Sequence, residues 1–119
     1  MDNLICVPFT FDLAIRRLYR DTELIDLTSK EFELALYLFE NQDAVLSRRQ
    51  LLEAVWETTA DIHTRTVDAH VSRLRHKLML DSTHWQICSI YKHGYSLRKV
   101  SRPESGIFTK TRPETEVET

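Results

Sequence analysis

Three arginines, three histidines and one lysine fall within HTRTVDAHVSRLRHKL, residues 63–78. Cations at this density suit a partner rich in negative charge, and a guanidinium offers the paired donors that match a phosphate or the edge of a guanine. At about 100° per residue the same stretch separates into faces. Val67, Val71, Leu74 and Leu78 cluster within a narrow arc that must face a core, while Arg65, Ala69, Ser72, Arg73 and His76 lie on the opposite arc. Thr66, His70 and Lys77 flank one side of the helix, and Asp68 and Arg75 the other.

Other chemistries find little support. His70 and His76 are not at the i, i+4 spacing of a zinc helix, and no carboxylate or cysteine completes a set, so no metal and no cofactor is expected. Asp68 and His70, two apart on a helix, point about 200° away from each other and make no catalytic dyad. Two glycines cannot build a loop that cradles a nucleotide phosphate, and an enzyme is not expected. Cys6 and Cys88 form no CxxC pair and are expected to be buried and reduced.

Charge is unevenly distributed along the chain. The net charge of -2 conceals six Lys and Arg against twelve Asp and Glu in residues 1–61, eight against two in 62–102, and two against four in the remainder. Such asymmetry points to nucleic acid or another acidic partner facing the second region, although a solvated bias without a partner fits the same counts.

The elements that must hold the basic helix follow from pattern. A chain of 119 residues supports one compact unit. No apolar run approaches a membrane span, and the N-terminus lacks a signal peptide's basic start and apolar stretch, so a cytoplasmic location is expected. ICVPFTFDLAIRRLYRDTELIDLT reads as three or four short antiparallel strands. Thr28 with Glu31 forms a capping box before a helix ending near Asn41, its apolar stripe built on Phe32, Ala35, Leu36 and Phe39 and widened by Leu34 and Leu38. Ser47 with Gln50 starts a second, short helix carrying Leu51, Leu52, Val55 and Trp56 on one side. A loop of about eight residues follows, from which Thr64 can cap the basic helix. Ile87 to Tyr91 and Tyr95 to Lys99 read as strands around KHG, with Gly94 free to take positive φ. Tyr91, Trp85 and Tyr95 are the aromatics available for stacking, and Tyr95 is assigned to the core.

A short helix, a loop and a helix with an apolar inner face and an outer face of Arg, His, Ser and Thr suit the major groove of DNA. Small residues permit close approach there, and flanking cations neutralise phosphates. Periodicity alone fits an ordinary solvated surface helix equally well.

LTSKEFELALYLFENQDAVLSRRQLLEAVW, then RTVDAHVSRLRHKL, then HGYSL, resemble the output domain of the OmpR/PhoB family of two-component response regulators over roughly residues 9–99. The resemblance implies an α+β winged helix-turn-helix: an N-terminal antiparallel sheet, three helices and a C-terminal β-hairpin wing. The domain then occupies residues 1–100; the tail at 101–119, with two prolines and almost no apolar residues, cannot bury enough surface to repay ordering and is expected to be disordered. Sequence-specific binding to double-stranded DNA follows, with a recognition helix at 64–80 in the major groove and the wing on flanking backbone or minor groove, often on tandem direct repeats.

By the resemblance, Arg73 stands where bases are read, and Thr66 and Asp68 at the helix start where bases or phosphates are approached. Arg65, His70 and Arg75 match phosphate-contacting positions, as does Trp56 through its backbone. Ser72, His76 and Lys77 complete the helix set, and Tyr91, Lys92 and His93 the wing set. Glu57, Thr58, Thr59, Ala60 and Asp61 match a loop that in some members touches RNA polymerase. Two departures stand out. Family wings commonly read RGxGY, whereas YKHGY here puts Tyr91 in place of the arginine. The chain also has no room for a receiver domain, so it is expected to be an excised output domain or a protein that works without phosphorylation. A winged helix repurposed to grip RNA polymerase or another acidic protein is the alternative function.

Overall fold

The computed structural model describes residues 3–56, 65–80 and 84–100. Four short strands, β1 (Asn3–Cys6), β2 (Phe9–Asp12), β3 (Arg17–Arg20) and β4 (Glu23–Ile25), form an antiparallel meander in sequence order. Register sets its two faces: Leu4, Phe11, Leu18 and Ile25 align across the four strands, as do Cys6, Phe9 and Arg20 in the adjacent row. These rows supply the inner face, where Cys6, Phe9, Phe11 and Leu18 are buried. The period-2 alternation expected of a half-exposed strand thus appears in segments of only three or four residues.

Against this face lies α1 (Ser29–Glu40). Its capping box is complete: Glu31 N–H donates to Thr28 Oγ1 at 3.2 Å and Thr28 N–H to Glu31 Oε1 at 2.9 Å. Phe32, Leu34, Ala35, Leu38 and Phe39 are buried and Leu36 packs at the margin, so the buried stripe is rotated slightly from the one expected. Phe39 is the meeting point of the core, with its ring 5.5 Å from Phe9, 5.2 Å from Phe11 and 5.2 Å from Trp85. The Trp85 indole N–H donates to the Val7 carbonyl at 2.9 Å, which allows this large ring to be buried with its polar atom satisfied.

Helix α2 (Arg48–Trp56) opens on Ser47, whose Oγ accepts Gln50 N–H at 2.9 Å. Helix α3 (Arg65–Lys77) follows, and then a hairpin of β5 (Trp85–Ile90) and β6 (Gly94–Lys99). Several boundaries differ from expectation, β6 among them, which begins at Gly94 and not Tyr95. The basic helix ends at Lys77 rather than residue 80, because Met79 adopts φ +54° while Leu80 N–H donates to Arg75 O and Met79 N–H to His76 O. That is a Schellman stop without the usual glycine, so the composition gave no sign of it. Strand β5 starts two residues earlier than Ile87 and stops before Tyr91, because His93 N–H closes a tight turn onto Ile90 O. Cys88 is only partly buried, unlike Cys6; both are free thiols. Thr64, the loop at 57–63 and the tail at 101–119 lie outside the described residues.

Gly94 does take positive φ, at +135°, and it also lies against backbone. The following residue, Tyr95, exchanges both main-chain hydrogen bonds with Leu46, at 2.8 and 2.9 Å. A Cβ on Gly94 would fall 2.1 Å from Leu46 O. Gly94→Ala is therefore expected to destabilise the domain by at least about 2 kcal/mol, read as a lower urea midpoint, with the loss centred on the Leu46–Tyr95 bridge.

Candidate nucleic-acid interface

Helix α3 presents the faces that its sequence requires. Val67, Val71, Leu74 and Leu78 are at most 1 % exposed, and Arg65, Ala69, Ser72, Arg73 and His76 form an open stripe on the outside. Among the described residues no ion pair engages Arg65 or Arg73. Ala69 and Ser72 keep the middle of the stripe shallow, which lets the helix approach a surface closely.

The flanks are tied to other elements. On one side the His70 ring stands edge-on to Trp56, centroids 4.9 Å apart, and its Nδ1 lies 2.9 Å from Thr66 O. A carbonyl only accepts, so Nδ1 carries the proton of this contact. Trp56 and Thr66 are half-buried. Lys77, further along, reaches the buried Glu31 carboxylate at 2.7 Å. Burial pushes the Glu31 carboxyl up, but the hydrogen bonds from Lys77 and Thr28 outweigh it and hold the group below the usual carboxylate range.

On the other side Asp68 turns toward α2 and the hairpin. Its Oδ1 accepts from Arg48 Nε at 2.7 Å and from the Tyr95 hydroxyl. Burial again pushes the Asp68 carboxyl up, and the Tyr95 and Arg48 hydrogen bonds reverse this and hold it low. Burial and the neighbouring Asp68 raise the Tyr95 phenol. Arg75 donates to Ile87 O at 2.5 Å and to Ser89 Oγ at 3.1 Å, which fastens α3 to β5. Arg48 was not singled out in the sequence, and because it lies twenty positions before Asp68 no local signal marks the pair.

At the hairpin tip Tyr91, Lys92 and His93 are exposed, Tyr91 by 83 %, with Lys92 Nζ 5.5 Å from the Tyr91 ring centre. Lys92 itself holds φ +64° in the turn. Trp85 and Tyr95 are core, which leaves Tyr91 as the exposed aromatic of the hairpin. Residues 57–61 lie outside the described residues. Among the described residues no His, Cys, Asp and Glu side chains group as a metal site, and no helix is long and apolar enough to cross a membrane.

A meander sheet, three helices and a hairpin, with a cationic third helix exposed beside the hairpin, define a winged helix-turn-helix domain. The family described as "Transcriptional regulatory protein, C terminal" matches residues 21–97. The chain belongs to that family, the OmpR/PhoB-type DNA-binding output domains of response regulators.

Among relatives, the chain is 45% identical over 74 residues to the probable transcriptional regulator ycf27 of Guillardia theta, covering 60% of this chain and 29% of that protein. It is 38% identical over 95 residues to the transcriptional regulatory protein SrrA of Staphylococcus aureus, covering 78% and 39%. It therefore spans well under half the length of either relative. Among solved structures, the DNA-binding domain of Klebsiella pneumoniae RstA, in complex with the RstA box, superposes with a TM-score of 0.72 at 25% identity, covering 82% of this chain and 98% of that one.

The depressed Glu31 and Asp68 carboxyls fix the direction of the acid response. Both hold protons less tightly folded than unfolded, so their stabilisation is present above the ordinary carboxylate range and is lost as pH falls through their folded values. The melting temperature is expected to be flat near neutrality and to fall below about pH 4. Glu31→Gln should lower it at pH 7 and flatten the acid limb, measured by circular dichroism.

Proposed function

We propose that the chain binds double-stranded DNA sequence-specifically, as the cytoplasmic output domain of a transcriptional response regulator, with the N-terminal three turns of α3 in the major groove. The single observation behind this is the open stripe of Arg65, Ala69, Ser72, Arg73 and His76 on a helix whose opposite face is fully buried. Arg73 reads a base edge, Arg65 and His70 meet phosphates, and Thr66 and the Trp56 backbone support the entry of the helix. The hairpin tip lies along the flanking backbone, where Lys92 and His93 supply charge and Tyr91 supplies a flat surface in place of an arginine in the minor groove.

Binding to paired direct-repeat half-sites fits a domain with few unengaged cations on its helix, since two weak contacts on one duplex reinforce each other. A receiver domain and a sensor kinase are partners if the chain is part of a longer protein, and RNA polymerase is the partner assigned to the segment 57–61. Arg75 and Lys77 act mainly inside the domain, given their partners on β5 and α1.

Selection of bound duplexes from a random pool at low salt tests this directly, with the native chain and Arg73→Ala in parallel. A repeated half-site is expected from the native chain and a preference blurred at one base pair from the variant, with a loss of about 1–3 kcal/mol there. No enrichment by the native chain would refute sequence-specific binding. A second comparison separates the cations: Arg65→Ala should reduce the salt dependence of binding by about one phosphate contact, whereas Lys77→Ala should leave the slope unchanged and lower thermal stability.

A further inference from the structure

Tyr95 touches every element that the proposed interface needs. Its backbone is bridged to Leu46, just before α2, and it is the first β6 residue after the wing turn and Gly94. Two guanidinium groups lie over its ring, with Arg48 of α2 5.1 Å and Arg75 of α3 5.7 Å from the centre. Its hydroxyl donates to Asp68 of α3, and the same carboxylate oxygen takes Arg48 Nε. Arg75 then continues to Ile87 and Ser89 on β5. Two cations, a phenol and a carboxylate thus join α2, α3 and both strands of the hairpin in one network.

We infer that Asp68 is a positioning residue for DNA recognition: through Tyr95 and Arg48 it fixes the angle between the recognition helix and the wing, and it does not itself read a base. The inference rests on the DNA-binding function proposed above. A carboxylate accepts hydrogen bonds and repels phosphate, so placing one in the first turn of a groove-bound helix opposes binding unless it is engaged elsewhere. Here Oδ1 is engaged twice. Because the helix and the wing touch the duplex at separate places, an error in the angle between them misplaces one contact whenever the other is satisfied. Specific binding needs both contacts at once, while non-specific binding to the phosphates tolerates the error.

This separates the effects of Asp68→Asn by sign. Loss of a negative charge favours any duplex, whereas loss of positioning disfavours only the selected one. Tyr95→Phe removes the hydroxyl, keeps the ring beneath the guanidinium groups and leaves charge unchanged. The experiment measures Kd for the half-site duplex enriched by the native chain, for its single-base-pair variants and for a scrambled duplex of equal length, with native chain, Asp68→Asn, Tyr95→Phe and the double variant, alongside hydrogen exchange of the β5–β6 amides.

Both single variants are expected to lower the ratio of selected to scrambled affinity roughly tenfold, at all positions of the half-site together, with faster exchange in the hairpin. Scrambled-duplex binding should be unchanged for Tyr95→Phe and equal or tighter for Asp68→Asn, and the double variant should be no worse than the weaker single one. A role in stability alone would lower both affinities in proportion and leave the ratio intact, which would overturn the inference. So would a change confined to one base pair in Asp68→Asn with Tyr95→Phe behaving as native, because Asp68 would then be a base reader. A native chain that binds both duplexes alike would overturn the DNA-binding function itself, and this inference with it.

Discussion

Burial of four aliphatic side chains on α3 is the constraint from which the rest of the interface follows. Val67, Val71, Leu74 and Leu78 recur at helical spacing and are almost completely removed from solvent. At roughly 1.5–3 kcal/mol each, their burial outweighs any single polar contact the helix makes. Once that arc is committed to the core, the orientation of every other α3 residue is settled. Arg65, Arg73 and His76 must point outward, and Asp68 and His70 must lie on the shoulders where α2 can meet them. The core residues that receive the helix therefore determine which side chains a partner encounters.

A second constraint acts on the cations. A domain of this size has many helix ends and few glycines, so orphan carbonyls must find donors elsewhere. Arg20 donates to Leu78 O at the end of α3, and Lys30 to Val55 O near the end of α2, both over long sequence separations. Lys77 answers the buried charge of Glu31, and Arg75 holds β5. The positive charge of residues 62–102 is thus divided between holding the fold together and facing outward. A count of basic residues measures the total and not the exposed share, which explains why the exposed set on α3 is smaller than the basic composition of that segment implies.

Features governed by short-range periodicity and capping were legible in the sequence. Thr28 with Glu31 and Ser47 with Gln50 marked two helix starts because a cap is a contact between residues three apart. The inner and outer arcs of α3 were equally legible, since they depend only on 3.6 residues per turn. The end of α3 was not, because Met79 takes the left-handed conformation usually given to glycine, in a stop closed by its own N–H and that of Leu80. Family resemblance alone set Asp68 among the positions where bases or phosphates are approached. Its engagement with Arg48 and Tyr95 spans twenty and twenty-seven positions, and no local pattern encodes a contact over that distance.

Gly94 brings these scales together. A glycine before an aromatic residue at a hairpin reads as turn chemistry, and the positive φ agrees. The tighter requirement comes from Leu46, whose carbonyl occupies the space a side chain would need. That close approach lets Tyr95 bridge to the segment before α2, which in turn brings its ring against Arg48 and Arg75 and its hydroxyl onto Asp68. A larger residue at 94 would push the hairpin away from α2 and open the network at its root. The missing side chain of one glycine and the carboxylate of Asp68, distant in sequence, serve the same end: they hold the wing at a defined distance and angle from the helix whose outer face is exposed.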